Sequence, residues 1–231
     1  MSTLARSAFY WGNIAWVRAL LLWSASRDIQ GAENVPRTGP LIITVNHLNN
    51  ADPPILGEAT PREIAWLTKA EWFKNPFIGW MFKTGGMIPV RRFEADLHAL
   101  RQAQEALKQG RAVGMFPEGR RSRTGSLQKG EPGSALIALR SGAPILPVAI
   151  WGTENVKLPR DMFLRKTHAH VTFGKPYQLS RVKRVGREEV AQGTETIMKQ
   201  IAALLPERYW GVYADKMKSD GEAKVSPGRL E

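Results

Sequence analysis

The chain has 231 residues, enough for one domain with a substantial core. Its 33 Lys and Arg outnumber 21 Asp and Glu, and the net charge of +12 points to anionic partners: nucleic acid, a membrane face or a phosphorylated substrate. It contains no cysteine, which excludes a thiol nucleophile, a Cys-based metal site and a disulfide scaffold.

No cleavable signal is expected, because the apolar stretch after Arg6 is not a clean core leading into a small-residue cleavage site. Ala8 to Trp23 includes Asn13 and Arg18 and makes a poor membrane span, which needs about 20 mostly apolar residues. Phe9, Trp16, Leu20 and Trp23 recur at helical spacing. With Trp11, and with Arg6, Arg18 and Arg27 nearby, they suit an amphipathic helix lying in a membrane interface. The same pattern suits an amphipathic helix packed on the core.

Leu41-Ile42-Ile43-Thr44-Val45, entered through Gly39-Pro40, reads as a buried strand. A helix is expected from Pro53 and a short strand around Ile64 to Leu67. Gly85 to Val90 reads as a strand entered through a turn. Glu94 to Gln109 reads as a helix with Leu97, Leu100 and Leu107 on its apolar side and Gly110 as its stop. Ala112 to Phe116 is a strand, and Ser134 to Arg140 a short helix ended by Gly142. Ile145 to Ile150 is a strand whose Pro147 favours a bulge or an edge. His170 to Phe173 is a later strand and Glu188 to Leu205 a helix. From about Lys216 the tail is polar and reads as loose. Alternating strands and helices indicate an α/β fold with a mixed, mostly parallel sheet flanked by helices.

Three strand ends carry chemistry. His47 follows the first strand, where open α/β sheets place ligands, and Asp52 lies five positions on. A turn at Asn49-Asn50 would fold the carboxylate onto the imidazole and make His47 a general base for a hydroxyl. Asp52-Pro53-Pro54 also reads as a plain helix start, with Asp as N-cap. Arg91-Arg92 follow the strand at Ile88, and Glu118-Gly119-Arg120-Arg121-Ser122-Arg123 follow the strand at Ala112. Arginine presents a planar fork to phosphate oxygens, and Gly119 permits close backbone approach or a positive φ. Each arginine cluster also reads as a solvated basic surface. His98 falls on the polar face of its helix. His168 and His170 share one face of a strand without an obvious third ligand, so no metal site is expected.

His47-x4-Asp52, Ile88-Pro89-Val90-Arg91, Phe116-Pro117-Glu118-Gly119-x-Arg121-Ser122 and Leu146-Pro147-Val148-Ala149 occur in that order. Together they resemble the four-motif pattern of the glycerolipid acyltransferases, especially those acting on 1-acyl-sn-glycerol 3-phosphate. The resemblance covers Ile29 to Thr153 and, more weakly, Pro206 to Tyr213. It implies that His47 takes the proton from the sn-2 hydroxyl of lysophosphatidic acid while Asp52 orients the imidazole. It implies that Arg91 and the Glu118-Gly119-x-Arg121 loop hold the acceptor phosphate, with Lys69 as a further phosphate-side cation. The acyl donor it implies is acyl-CoA or acyl carrier protein, with no cofactor beyond that thioester. Leu146 to Ala149 would shape the acyl site or form an ordinary buried strand. Direct transfer agrees with the lack of cysteine and of a Gly-x-Ser-x-Gly elbow. Arg120 stands where the family usually has Thr, which bears on the identity of the acceptor.

The expected organisation is an N-terminal membrane-associated segment at 1–28, an acyltransferase domain at 29–213 and a flexible polar tail at 214–231. The expected setting is a monotopic enzyme on the cytoplasmic membrane face, its partners being membrane lipids rather than nucleic acid. Rival readings are the same chemistry on glycerol 3-phosphate or another lysolipid, and a non-catalytic basic module that binds membranes or nucleic acid.

Overall fold

A computed structural model of the protein describes residues 3–91, 96–154, 156, 167–179 and 185–225. Arg92 lies outside these residues. A seven-stranded sheet organises the chain: β1 (Ala25–Gln30), β2 (Leu41–Val45), β3 (Ile64–Lys69), β4 (Ile88–Val90), β5 (Ala112–Met115), β6 (Ile145–Trp151) and β7 (Thr167–Phe173). The strand order is β1-β7-β6-β2-β5-β3-β4. Strands β6, β2, β5, β3 and β4 run parallel, while β7 runs against β6 and carries β1 parallel to itself. The carboxyl ends of five strands therefore gather on one rim.

The helices are α1 (Thr3–Ser24), α2 (Asp52–Ala59), α3 (Pro76–Thr84), α4 (Leu97–Lys108), α5 (Gly133–Ser141), α6 (Arg187–Ala202) and α7 (Ala214–Val225). Leu41, Ile43 and Val45 face one side of the sheet with Ile55 and Leu56 of α2. Ile42 faces the other with Leu107 of α4, Ile137 of α5 and Ile201 of α6. With helices on both faces every residue of β2 is buried, and its sequence is apolar except for Thr44, without the polar alternation of a half-exposed strand.

Several elements depart from the sequence expectations. β1 was unforeseen, because Ala-Ser-Arg-Asp-Ile-Gln carries little β signal; full pairing with β7 from Ala25↔Thr167 to Gln30↔Thr172 holds it. The sheet thus begins inside the segment assigned to 1–28. Pro147 lies in a central strand, not at an edge. The pairing passes from Ile145↔Tyr177 to Val148↔Phe173, so two residues of β6 oppose three in the segment that follows β7. The bulge, one of the two outcomes expected of Pro147, accommodates its missing N–H, while the residue pairs with Thr44 of β2 and its carbonyl accepts from Gly174 N.

The polar tail is not loose over α7, which runs to Val225. Met217 packs against the core and Lys216 lies 2.9 Å from Glu195 of α6, so tertiary contacts order a stretch whose composition argued against it. Leu97 is exposed at 58 %, against the expected apolar side. Asp96 caps α4 by accepting from His98 N and Ala99 N, which starts the helix at Leu97 with that side chain outward.

The structure does not show the amphipathic character expected of α1. Its outward positions Leu4, Ala8, Trp11 and Ala15 follow helical spacing and are apolar, and the next step brings exposed Arg18. Its inward side carries Tyr10, Arg6, Ser7 and Asn13. Arg6 turns in to Glu63 at 4.0 Å, Ser7 bonds the same carboxylate, and the Tyr10 hydroxyl accepts from Ile64 N at 3.2 Å. No described helix is long and apolar enough to cross a membrane.

Candidate active site

β2 ends at Val45, and the next seven residues turn tightly onto the start of α2. Asn46 is buried, and its side-chain amide pairs with both backbone groups of Ile150, at 2.7 and 2.8 Å. That contact ties the end of β2 to β6. Asn49 turns the chain back by accepting from Ala51 N through its side chain and from Asp52 N through its carbonyl. Asp52 becomes the first residue of α2, with Ala51 rather than Asp52 at the N-cap.

The turn brings the expected pair together. Asp52 Oδ2 accepts from His47 Nδ1 at 2.8 Å and from Leu48 N and Asn49 N at 2.7 Å each. Asp52 Oδ1 accepts from Thr153 Oγ1 at 2.7 Å. Asp52 is fully buried, and four converging donors at a helix N-terminus suit its anion. A proton on Nδ1, engaged by Asp52, leaves Nε2 of a neutral imidazole as the free base. Sequence spacing offered this pair and missed Thr153. Gly152, at φ 86°, turns the chain after β6 so that Thr153 meets Asp52; a Cβ there would stand 2.2 Å from His168 O.

His47 is held on every side. Phe116 stacks on its ring at 4.0 Å between centroids, and Trp66 stacks on Phe116 at 5.2 Å. Glu118 Oε1 accepts from His47 N at 2.9 Å, and the His47 carbonyl accepts from Ser122 N at 2.7 Å. The loop after β5 thus grips the backbone of the histidine from both ends.

That arrangement changes the role of Glu118. Its carboxyl is buried, with the second oxygen accepting from Gln128 N at 2.9 Å. Burial pushes its pKa up to about 7, against the lowering effect of the Gln128 and His47 amides, and nearby Asp52 adds to the rise. Glu118 therefore turns inward onto the His47 and Gln128 amides instead of outward to the rim where the arginines stand. Gly119, at φ 67°, makes the turn that lets the loop fold back, and Arg120, Arg121 and Arg123 project into solvent beside the histidine.

The C-terminal segment fastens this loop. Leu127 N donates to Tyr209 O, Val212 N donates to Leu127 O, and the Tyr213 hydroxyl accepts from Gly130 N. The Pro206–Tyr213 stretch is therefore part of the site's scaffold.

Lys69 and Arg91 end β3 and β4. Lys69 is half-exposed and lies 3.2 Å from Glu71. Arg91 is exposed, with Nε 3.7 Å from Asp96. β4 is three strands from β2, about 14 Å at sheet spacing, so Arg91 stands at the far side of the rim and Arg121 nearer the histidine. Beside Arg91 opens a cavity of about 500 Å³, walled by Leu67, Val90, Met115, Phe116 and Ile137, with Arg91, Asp96, Glu131 and Ser134 as its polar lining; neither His47 nor Arg121 lines it. Leu146 to Ala149 do not line it: they are a buried core strand. Exposed His98 stands on α4. His168 and His170 meet Ser26 and Asp28, and among the described residues no group of three or more metal-ligating side chains gathers.

The chain is similar to several known acyltransferases. A 1-acyl-sn-glycerol-3-phosphate acyltransferase of Borreliella burgdorferi is 29 % identical over 188 residues, covering 76 % of this chain and 75 % of its own length. A chloroplastic enzyme of the same name from Brassica napus is 32 % identical over 132 residues, but the chain spans only 38 % of its length. The crystal structure of the 1-acyl-sn-glycerophosphate acyltransferase of Thermotoga maritima superposes with a TM-score of 0.69 at 25 % identity, covering 86 % of this chain and 80 % of that one. The profile of the acyltransferase family matches residues 26–151, from β1 to the end of β6, and the chain belongs to that family.

Proposed function

We propose that the protein transfers an acyl chain from an acyl thioester to the sn-2 hydroxyl of 1-acyl-sn-glycerol 3-phosphate, giving phosphatidic acid. The observation that carries this reading is the 2.8 Å contact between His47 Nδ1 and the buried, four-fold hydrogen-bonded Asp52. His47 Nε2 takes the proton as the hydroxyl oxygen attacks the thioester carbonyl carbon. Asp52 stabilises the imidazolium that forms. Collapse of the tetrahedral intermediate breaks the C–S bond, and the imidazolium returns the proton to the departing thiolate. No residue need carry the acyl group.

Arg121 and Arg91 hold the acceptor phosphate, with Lys69 as a further cation on the same rim; Arg offers two parallel hydrogen bonds to phosphate. The apolar cavity suits an acyl chain. The donor is acyl-CoA or acyl carrier protein, and the thioester is a substrate rather than a cofactor. The relatives named for lysophosphatidic acid support this acceptor. Arg120 favours a second reading, in which the extra charge on the loop suits another lysolipid or glycerol 3-phosphate.

The acceptor's chain sits in a bilayer, and the apolar outer face of α1 fits a monotopic enzyme on the cytoplasmic membrane face. Salt washing leaves such a protein bound, because only the electrostatic part is screened, and detergent releases it. The deciding experiment is an acyl-transfer assay of purified protein in detergent, crossing lysophosphatidic acid, other lysolipids and glycerol 3-phosphate with both donors. Transfer to lysophosphatidic acid above the other acceptors supports the reading; transfer only to another acceptor overturns it.

A further inference from the structure

Large aromatic side chains stand in solvent on a second element besides α1. Trp72 lies in the single turn Ala70–Lys74 that follows β3, and Phe77 and Trp80 lie on α3. Phe77 is 70 % exposed and Trp80 56 %. The two are three residues apart, on one helix face, with ring centroids 6.2 Å apart. The opposite face of α3 is closed: Gly79 packs so tightly that a Cβ would stand 2.4 Å from Phe73 O. The aromatic face is therefore outward by construction.

This face joins the outer face of α1. Trp80 meets Phe9 edge-on at 5.4 Å. Phe9 and Trp16 are seven residues apart and share that flank of α1, and Trp16 is 63 % exposed. Trp11 and Leu4 continue the surface around the helix. Exposed Lys74 and Lys83 flank the aromatics of α3, in a chain of net charge +12. A contiguous apolar surface rich in tryptophan and edged by lysine matches the boundary between acyl chains and anionic headgroups.

We propose that α3 and the turn before it form, with α1, one membrane-docking face that takes an anionic lipid surface. α3 lies between β3, which ends at Lys69, and β4, which leads into Arg91. The turn that carries Trp72 follows directly on Lys69, so docking through it brings the carboxyl end of β3 to the headgroup layer. The proposal deepens the lipid-acceptor reading above, but docking is measured without turnover, so the two fail separately.

The chain has no cysteine, so Phe77→Cys gives a single site for an environment-sensitive fluorophore. Vesicles of equal parts phosphatidylcholine and phosphatidylglycerol are added. The probe at position 77 is expected to shift to the blue, while one at exposed Lys108→Cys, on the other face of the sheet, stays water-like. A Trp72→Gln/Phe77→Gln double variant, altered only at exposed positions, is expected to bind these vesicles at least about tenfold more weakly. Its turnover on a short-chain, monomeric acceptor is expected to be unchanged. A water-like probe at 77 on vesicle-bound protein, undiminished binding by the double variant, or no binding by the wild type overturns the proposal.

Discussion

Thr153→Val removes one hydroxyl from the buried end of the His47–Asp52 pair. Thr153 is the donor to Asp52 Oδ1, at 2.7 Å, and both residues are fully buried. Valine fills nearly the same space, so the change deletes a hydrogen bond without opening a cavity. A bond to a charged group contributes about 1.5–3 kcal/mol, and water cannot easily replace it here. For a chain of this length each kcal/mol moves the melting temperature by about 2–4 °C, so a fall of roughly 3–12 °C is expected. Catalysis suffers separately. With Oδ1 unheld, the carboxylate loses one of the two ends that fix its plane against Nδ1, and turnover is expected to drop about tenfold, the kinetic equivalent of about 1.4 kcal/mol. The assays are thermal unfolding and steady-state acyl transfer on Thr153→Val and Thr153→Ser, the latter restoring the hydroxyl and most of the rate. In an Asp52→Ala background, Thr153→Val is expected to cost no further turnover, because its only route to His47 is gone. Wild-type melting and wild-type turnover in Thr153→Val refute the reasoning.

Two further predictions follow from the site's charges. Glu118 titrates near 7 in the folded protein against 4.5 ordinarily, so in this window the native state keeps a proton that the unfolded chain has released. Its contribution to stability is full below pH 4.5 and is lost as pH rises through about 7; relative to Glu118→Gln, wild-type unfolding free energy is expected to fall by about 3 kcal/mol across that window in denaturant titrations. Arg121→Ala is expected to raise the KM for lysophosphatidic acid by about tenfold or more, and Arg91→Ala by less, because Arg91 lies farther from His47 along the rim. A lysolipid lacking the phosphomonoester should lose little from either change in parallel assays; equal losses on both acceptors would assign the arginines to the donor or to the fold.

The strands of the central sheet were legible because burial on both faces favours nearly continuous apolar, β-branched runs, as in Leu41 to Val45. The His47–Asp52 pair was legible because a turn-forming Asn-Asn separates them at the end of such a run. Thr153 was not, since its hydrogen bond spans 101 residues and a threonine after a strand carries no signal of its own. Asn46 was missed for the same reason: its partner, Ile150, lies 104 residues on. Glu118 was read as a phosphate-side group because sequence shows which residues share a loop, not which way each side chain turns. β1 and α7 were lost to composition. Both are polar, and both are ordered by long-range contacts, with β7 for the strand and with α6 and the core for the helix. In α1 the spacing of tryptophans and arginines did not show which of them face outward: Arg6 turns inward to Glu63, while Arg18, Trp11 and Trp16 remain exposed.

The central claim is that His47, oriented by Asp52, removes the acceptor's proton. Single-turnover acyl transfer to lysophosphatidic acid by His47→Ala, in protein with a wild-type circular dichroism spectrum and intact vesicle binding, tests it most directly. The account predicts a loss of at least roughly 10²–10⁴-fold in rate with binding retained. Transfer within a few-fold of wild type in that folded variant contradicts it.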